Sequence, residues 1–268
     1  MLARVQEWLA PPDPQSKLRV SLKLRTAGTG KWYLQSDQYE AWKTGRTSFT
    51  WLYGSAGSGK TILSAGIIQD MQAACQTDPD KSLAFFFFDF NDVEKQDPVK
   101  MVKSLLSQFL NRCQSLPETV RSLHAYCENG RREASQQQLL QALRDTLELL
   151  PVPSIVLDAL DECSSWVALY DIIMEMRGWG RSTPRILLTS RKEIMIEEAL
   201  EDVIPPDDRT CLGQSVDKDI RTYVQERLAT GKSLKRWQRD ADIRQEIEKT
   251  LGRGAHGMYS LSSSLVIS

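Results

Sequence analysis

Phe49-Thr50-Trp51-Leu52-Tyr53-Gly54-Ser55-Ala56-Gly57-Ser58-Gly59-Lys60-Thr61 carries a short apolar run directly into a loop of three glycines, a lysine and a threonine. The second half satisfies Gly-x-x-x-x-Gly-Lys-[Ser/Thr], the pattern of a loop whose backbone cradles phosphate. Each residue type has a physical reason. Gly54, Gly57 and Gly59 let the backbone take conformations closed to other residues, so the N–H groups of the run Ser55, Ala56 and Ser58 turn inward as an anion nest. Lys60 reaches the β and γ phosphates as a point charge, and the Thr61 hydroxyl ligates Mg²⁺. Ile62, Leu63, Ile67, Ile68 and Met71 follow at helical spacing, so the loop opens a helix whose N-terminal dipole favours the same anion. A random chain of this length and average composition matches the pattern about one time in a hundred, and the flanking strand and helix make chance a poorer explanation still.

Three more apolar runs lie along the chain, Leu83 to Phe88, Ile155 to Leu157 and Ile186 to Leu188. All are continuous and not alternating, as strands covered on both faces of a parallel sheet are. Val99, Val102, Leu106 and Phe109, then Leu139, Leu143, Leu147 and Leu150, carry helical spacing between them. The alternation predicts a doubly wound parallel α/β sheet of about five strands, with Arg209 to Leu212 as the weak fifth. Ahead of it, Leu2 to Leu9 and Lys17 to Arg25 read as helices separated by Pro11-Pro12-Asp13-Pro14 and followed by a turn at Gly28 to Gly30. Behind it, Ile220, Tyr223, Val224 and Leu228, then Ile243, Ile247 and Leu251, mark an all-helical tail. The expected division is an N-terminal helical arm at 1–44, a nucleotide-binding core at 45–212 and a helical lid at 213–268.

A triphosphate site needs a carboxylate near its metal and usually another near the attacking water. Ser154-Ile155-Val156-Leu157-Asp158-Ala159-Leu160-Asp161-Glu162 supplies both. Asp158 ends an apolar strand, where parallel sheets place their ligands, and is assigned to Mg²⁺. Asp161 and Glu162 follow on the loop as catalytic candidates, and spacing does not choose between them. The competing reading makes them acidic caps of a helix starting near Ser164 or Ser165. Pro184 to Arg191 reads as the next strand, with Thr189 and Arg191 facing the γ-phosphate and Arg191 offsetting charge that develops during transfer. Asp89, at the tip of the second strand, is a weaker candidate for the water or metal shell. Gly28-Thr29-Gly30-Lys31-Trp32 lines the base pocket or is a plain turn, and His124 and His256 read as surface or packing residues.

Composition narrows the partners. Lys plus Arg is 34 against 35 Asp plus Glu, a net charge of −1, without the strongly basic footprint of a chain held by nucleic-acid phosphates or anionic lipid. Five cysteines without a Cys-x-x-Cys pair argue against a zinc knuckle or a secreted disulfide framework. Leu83 to Phe88 is far shorter than the roughly 20 residues of a membrane span, and the N-terminus lacks the apolar core of a signal peptide. These features point to a soluble, cytoplasmic protein with no nucleic-acid or membrane partner.

Taken together, the motifs resemble the NACHT family of STAND-class NTPases, in particular the fungal NOD-like receptor and nephrocystin-3-like N-terminal type. The resemblance is carried by Gly-Thr-Gly-Lys-Trp at 28–32, Trp51-Leu52-Tyr53 before the phosphate loop, Ile155 to Cys163 and Leu187 to Arg191. Asp219 to Val224 looks like the first lid helix and Gly257-Met258-Tyr259 like the lead-in to a winged helix. The family implies a switch that exchanges bound diphosphate for triphosphate and forms homo-oligomers. It assigns phosphate and Mg²⁺ roles to Lys60 and Thr61, the metal-linked acid to Asp158, the downstream acids to Asp161 and Glu162, and the sensor to Arg191. Ala159 stands where a glycine is common and Lys192 where proline often continues the sensor motif. The stop at Ser268 precedes the winged helix, its sensing histidine and the repeat array, and His256 does not take that histidine's place. The intervening Ala159 also separates this pattern from motors that place Glu directly after the metal-binding Asp.

The expected activity is Mg²⁺-dependent binding and slow hydrolysis of ATP or GTP. A nucleotide-gated scaffold with little catalysis is the alternative. A small-molecule kinase is less favoured, because Arg131-Arg132 is the only dense basic spot in mid-chain.

Overall fold

A computed structural model describes residues 1–213 and Asp219. Its helices and strands follow in the order α1 (Leu2–Leu9), α2 (Gln15–Leu24), α3 (Lys31–Leu34), α4 (Asp37–Thr44), β1 (Phe49–Tyr53), α5 (Lys60–Thr77), β2 (Lys81–Phe87) and α6 (Pro98–Leu110). Then come α7 (Glu118–Tyr126), α8 (Gln136–Leu147), β3 (Val152–Asp158), α9 (Trp166–Arg177), β4 (Arg185–Ser190), α10 (Ile194–Glu201) and β5 (Arg209–Cys211). The five strands form one sheet in the order β2-β3-β4-β1-β5, every pair parallel.

The continuous apolar runs are explained by two cores, one on each face. Successive side chains of a strand point to opposite faces, so Trp51, Phe86, Leu157 and Leu188 join α1, α6, α8 and α9 on one side. Leu52, Phe87, Val156 and Leu187 meet α2, α4 and α5 on the other. The N-terminal helices are part of both layers: Val5 and Leu9 are fully buried in the first core, and Tyr39 and Trp42 in the second. Among the described residues no helix is long and apolar enough to cross a membrane.

Local chemistry sets the boundaries. Ser36 caps α4 by accepting the Tyr39 N–H, and Ser135 and Gln138 form a reciprocal capping box on α8. α8 stops at Leu147, so Leu150 falls outside the helix that its spacing suggests; it is half-buried against the core after a turn. Strand β2 ends at Phe87, one residue short of the apolar run, although the Phe88 N–H still bonds the Asp158 carbonyl. Lys31 and Trp32, in the segment read as base-pocket lining or plain turn, open the short helix α3. The tail helices expected after residue 219, and His256, lie outside the described residues.

Candidate functional site

The loop between β1 and α5 has the backbone its glycines suggest at two positions of three. Gly57 and Gly59 have φ of 73° and 84°, in the left-handed region. Gly54 does not; its requirement is space, since a Cβ there would lie 2.8 Å from Ser58 Oγ. Lys60 folds over its own loop, donating to the carbonyls of Gly54 at 2.9 Å and Ser55 at 2.8 Å. Burial pulls its ammonium below the ordinary lysine range, against the attraction of Asp161 and Asp158.

Asp158, 1 % exposed at the end of β3, is a hub for hydroxyls. Thr61 donates to Oδ2 at 2.8 Å, and Ser64 and Thr189 donate to Oδ1 at 2.6 and 2.7 Å. Burial raises its pKa, opposed by those three donors and Lys60. Thr61 and Asp158 therefore converge as two hard oxygen donors. Among the described residues no cluster of three or more His, Cys, Asp or Glu could cage a metal. The Thr61–Asp158 pair suits Mg²⁺, which prefers one or two protein oxygens completed by water and phosphate. Ser64 escaped the motif reading; its signal is a hydroxyl three residues after Thr61, on the same helical face.

Because β4 pairs with both β1 and β3, its end emerges between the phosphate loop and the acids. Thr189 does not face the cleft as expected. It is fully buried, donating to Asp158 and accepting the Ala159 N–H at 3.1 Å. Arg191 does reach the cleft. Its backbone N–H donates to Asp161 Oδ1 at 2.7 Å and its Nε lies 3.0 Å from Oδ2, so Asp161, with a side chain 3 % exposed, is taken up in holding it. Glu162 Oε2 accepts the Phe90 N–H at 3.0 Å, and Oε1 has no hydrogen-bond partner among the described residues. Burial raises the Glu162 pKa, the Phe90 N–H opposes it, and the carboxylates of Asp161 and Asp89 raise it further. Neither acid caps α9; Ser165 does, accepting the Ala168 N–H. Asp89 is paired with Lys17 at 2.6 Å and not with the cleft.

Lys60, Thr61, Asp161, Glu162 and Arg191 border a cleft of about 370 Å³. Loop residues 56–62, Ala159, Asp161, Glu162 and Arg191 line it together with Leu24, Thr26 and Thr29 from the N-terminal segment. Beside it, sharing Thr29, Ser58, Gly59 and Ile62, lies a small cavity of about 20 Å³ reaching Gly30, Trp32 and Asp219. Asp219 Oδ2 accepts the Gly30 N–H at 2.6 Å and the Trp32 indole N–H at 3.1 Å. Sequence reading marked both segments and did not link them, because their separation of 189 positions leaves no local pattern.

Comparison with known proteins agrees with this arrangement. The chain is 23% identical over 236 residues to the vegetative incompatibility protein HET-E-1 of Podospora anserina, a match covering 85% of this chain and 17% of that protein. The chain thus spans about a sixth of that relative's length. Among solved structures, the ORC1 protein of Aeropyrum pernix, determined in complex with DNA, superposes with a TM-score of 0.54 at 13% identity. That match covers 96% of this chain and 61% of the other, and it shows a shared fold. The sequence profile described as nephrocystin 3, N-terminal, matches residues 28–191, from the turn beside Asp219 to Arg191. With that profile spanning more than half of the chain, the phosphate loop and Arg191 lining one cleft and Asp158 bonded to Thr61 behind it, the chain belongs to the nephrocystin 3, N-terminal family and is a NACHT-like P-loop NTPase domain.

Proposed function

We propose that the domain binds Mg²⁺ with ATP or GTP and hydrolyses it slowly, as the nucleotide switch of a signalling protein. The observation that carries this reading is the convergence of Lys60, Thr61, Glu162 and Arg191 on one cleft, with Thr61 bonded to the buried Asp158. In this reading Gly54, Ser55, Ala56, Gly57, Ser58 and Gly59 wrap the phosphates. Lys60 exchanges its two carbonyl acceptors for phosphate oxygens, a stronger, charge-assisted partner. Thr61 and Asp158 hold Mg²⁺, which supplies charge neutralisation at the phosphates when bound.

The two acids divide the work. Asp161 positions Arg191, whose guanidinium offsets charge on the transferred phosphoryl group. Glu162 orients the attacking water and accepts its proton, since its raised pKa and its Oε1, without a partner among the described residues, suit a base. Phosphate release by the purified domain tests this. Wild type should release phosphate from ATP or GTP, Glu162→Gln should bind nucleotide with turnover reduced about 100-fold, and Lys60→Ala should do neither. Equal turnover by all three would refute the reading.

A further inference from the structure

The loop after β2 has little apolar anchorage. Phe90 is 62 % exposed, Val93 is 78 % exposed, and the turn Val93–Lys95 buries no residue. Its position is set by polar straps from two sides. On the α2 side, Lys17 donates to Asp89 Oδ2 at 2.6 Å, and Lys95 donates to Ser16 Oγ at 3.0 Å. On the acid side, the Phe90 N–H donates to Glu162, and Gln96 Nε2 donates to the Phe90 carbonyl at 2.7 Å. The Gln96 carbonyl then accepts both the N–H and the hydroxyl of Ser164, two residues beyond Glu162.

Asp89 and Phe90 are consecutive, so the ion pair to α2 and the hydrogen bond to Glu162 attach to one peptide unit. We propose that Lys17 is a positioning residue for Glu162, through which the N-terminal arm controls the water-activating step. This rests on the reading of Glu162 given above. The Lys17–Asp89 pair fixes where the Phe90 N–H points, and that N–H is the hydrogen bond holding the Glu162 carboxylate at the cleft. A catalytic group displaced by about 1 Å loses up to about 100-fold in rate without touching substrate binding. α2 is suited to carry such a signal, because its other end supplies Leu24 to the same cleft. A shift of α2 reaches the nucleotide at one end and the catalytic acid at the other.

The experiment compares Lys17→Met, Lys17→Arg and Asp89→Asn with wild type, reading kcat and nucleotide Kd, and repeats Lys17→Met in a Glu162→Gln background. Lys17→Met and Asp89→Asn should lower kcat about five- to twenty-fold with Kd within about two-fold of wild type, and Lys17→Arg should restore most of the rate. In the Glu162→Gln background Lys17→Met should change the residual rate by less than about two-fold, because the group it positions is gone. A merely structural ion pair would lower the residual rate there by the same factor. That result, an unchanged kcat in Lys17→Met, or failure of Lys17→Arg to rescue would overturn the inference alone. A wild-type chain with no turnover would overturn the Glu162 reading and the inference together.

Discussion

Thr189→Val isolates what supports Asp158. The substitution keeps the shape and removes a hydroxyl that is fully buried, donates to Asp158 Oδ1 at 2.7 Å and accepts the Ala159 N–H at 3.1 Å. Loss of a hydrogen bond to a carboxylate is worth about 1.5–3 kcal/mol, and the stranded Ala159 N–H adds about 1–3 kcal/mol. Two features reduce the sum: Ser64 still donates to the same Oδ1 at 2.6 Å, and the added methyl contributes about 0.8 kcal/mol of burial. A net loss of about 3 kcal/mol results, or about 6–12 °C in Tm for a domain of this size. Thr50→Val is the matched control. Thr50 is equally buried on β1, but its hydroxyl has no hydrogen-bond partner among the described residues, so valine should be neutral or stabilising by about 1 kcal/mol. Chemical denaturation of both variants reads the difference. Equal effects, or a Thr189→Val loss below about 0.5 kcal/mol, would refute the claim that Thr189 braces the acid strand.

Other consequences are equally open to measurement. Ala159 sits at φ 60°, ψ 53°; left-handed geometry costs an L residue about 1–2 kcal/mol and glycine's added freedom about 0.5–1 kcal/mol. Ala159→Gly should therefore stabilise the domain by up to about 1 kcal/mol in thermal melts, and a clear loss would contradict the strain. Because burial and the Asp161 and Asp89 carboxylates raise the Glu162 pKa, turnover should fall as pH drops through a point above the ordinary glutamate range. Glu162→Gln should abolish that acid limb; a limb at the same pH in its residual turnover refutes the assignment of the base. Asp219→Ala frees the Gly30 and Trp32 N–H groups and should lower stability by about 1–3 kcal/mol. It should also shift the Trp32 emission, read as a difference against Trp32→Phe; an unchanged spectrum and melting point would count against the link.

Much of this was legible because the chemistry is local. Phe49 to Tyr53 emerges as a strand at the boundaries the apolar run marks, since buried parallel strands need continuous apolar character and the phosphate loop fixes where it ends. Helices such as α4 and α10 gave no such signal. Each buries only two large apolar side chains, Tyr39 and Trp42 in one and Ile196 and Leu200 in the other. At the site, residue types followed from the motif, whereas their partners did not. The clasp of Asp161 on Arg191 exists because β3 and β4 are neighbours, and the strap of Lys17 on Asp89 because α2 packs beside the β2 tip. Such long-range pairings have no period in the sequence. Ala159 bridges the two cases: the residue is plain in the chain, and only the structure shows that it sits in the left-handed region, which favours glycine.

The central claim is that this cleft holds a nucleotide by its phosphates. Calorimetric titration of the wild-type chain and of Lys60→Ala with ATP and GTP, each with Mg²⁺ and again in excess chelator, tests it most directly. Saturable one-site binding by wild type, weakened at least about tenfold by chelation and by Lys60→Ala, is the expected result. Binding that survives both changes undiminished, or no binding of either nucleotide by wild type, would contradict it.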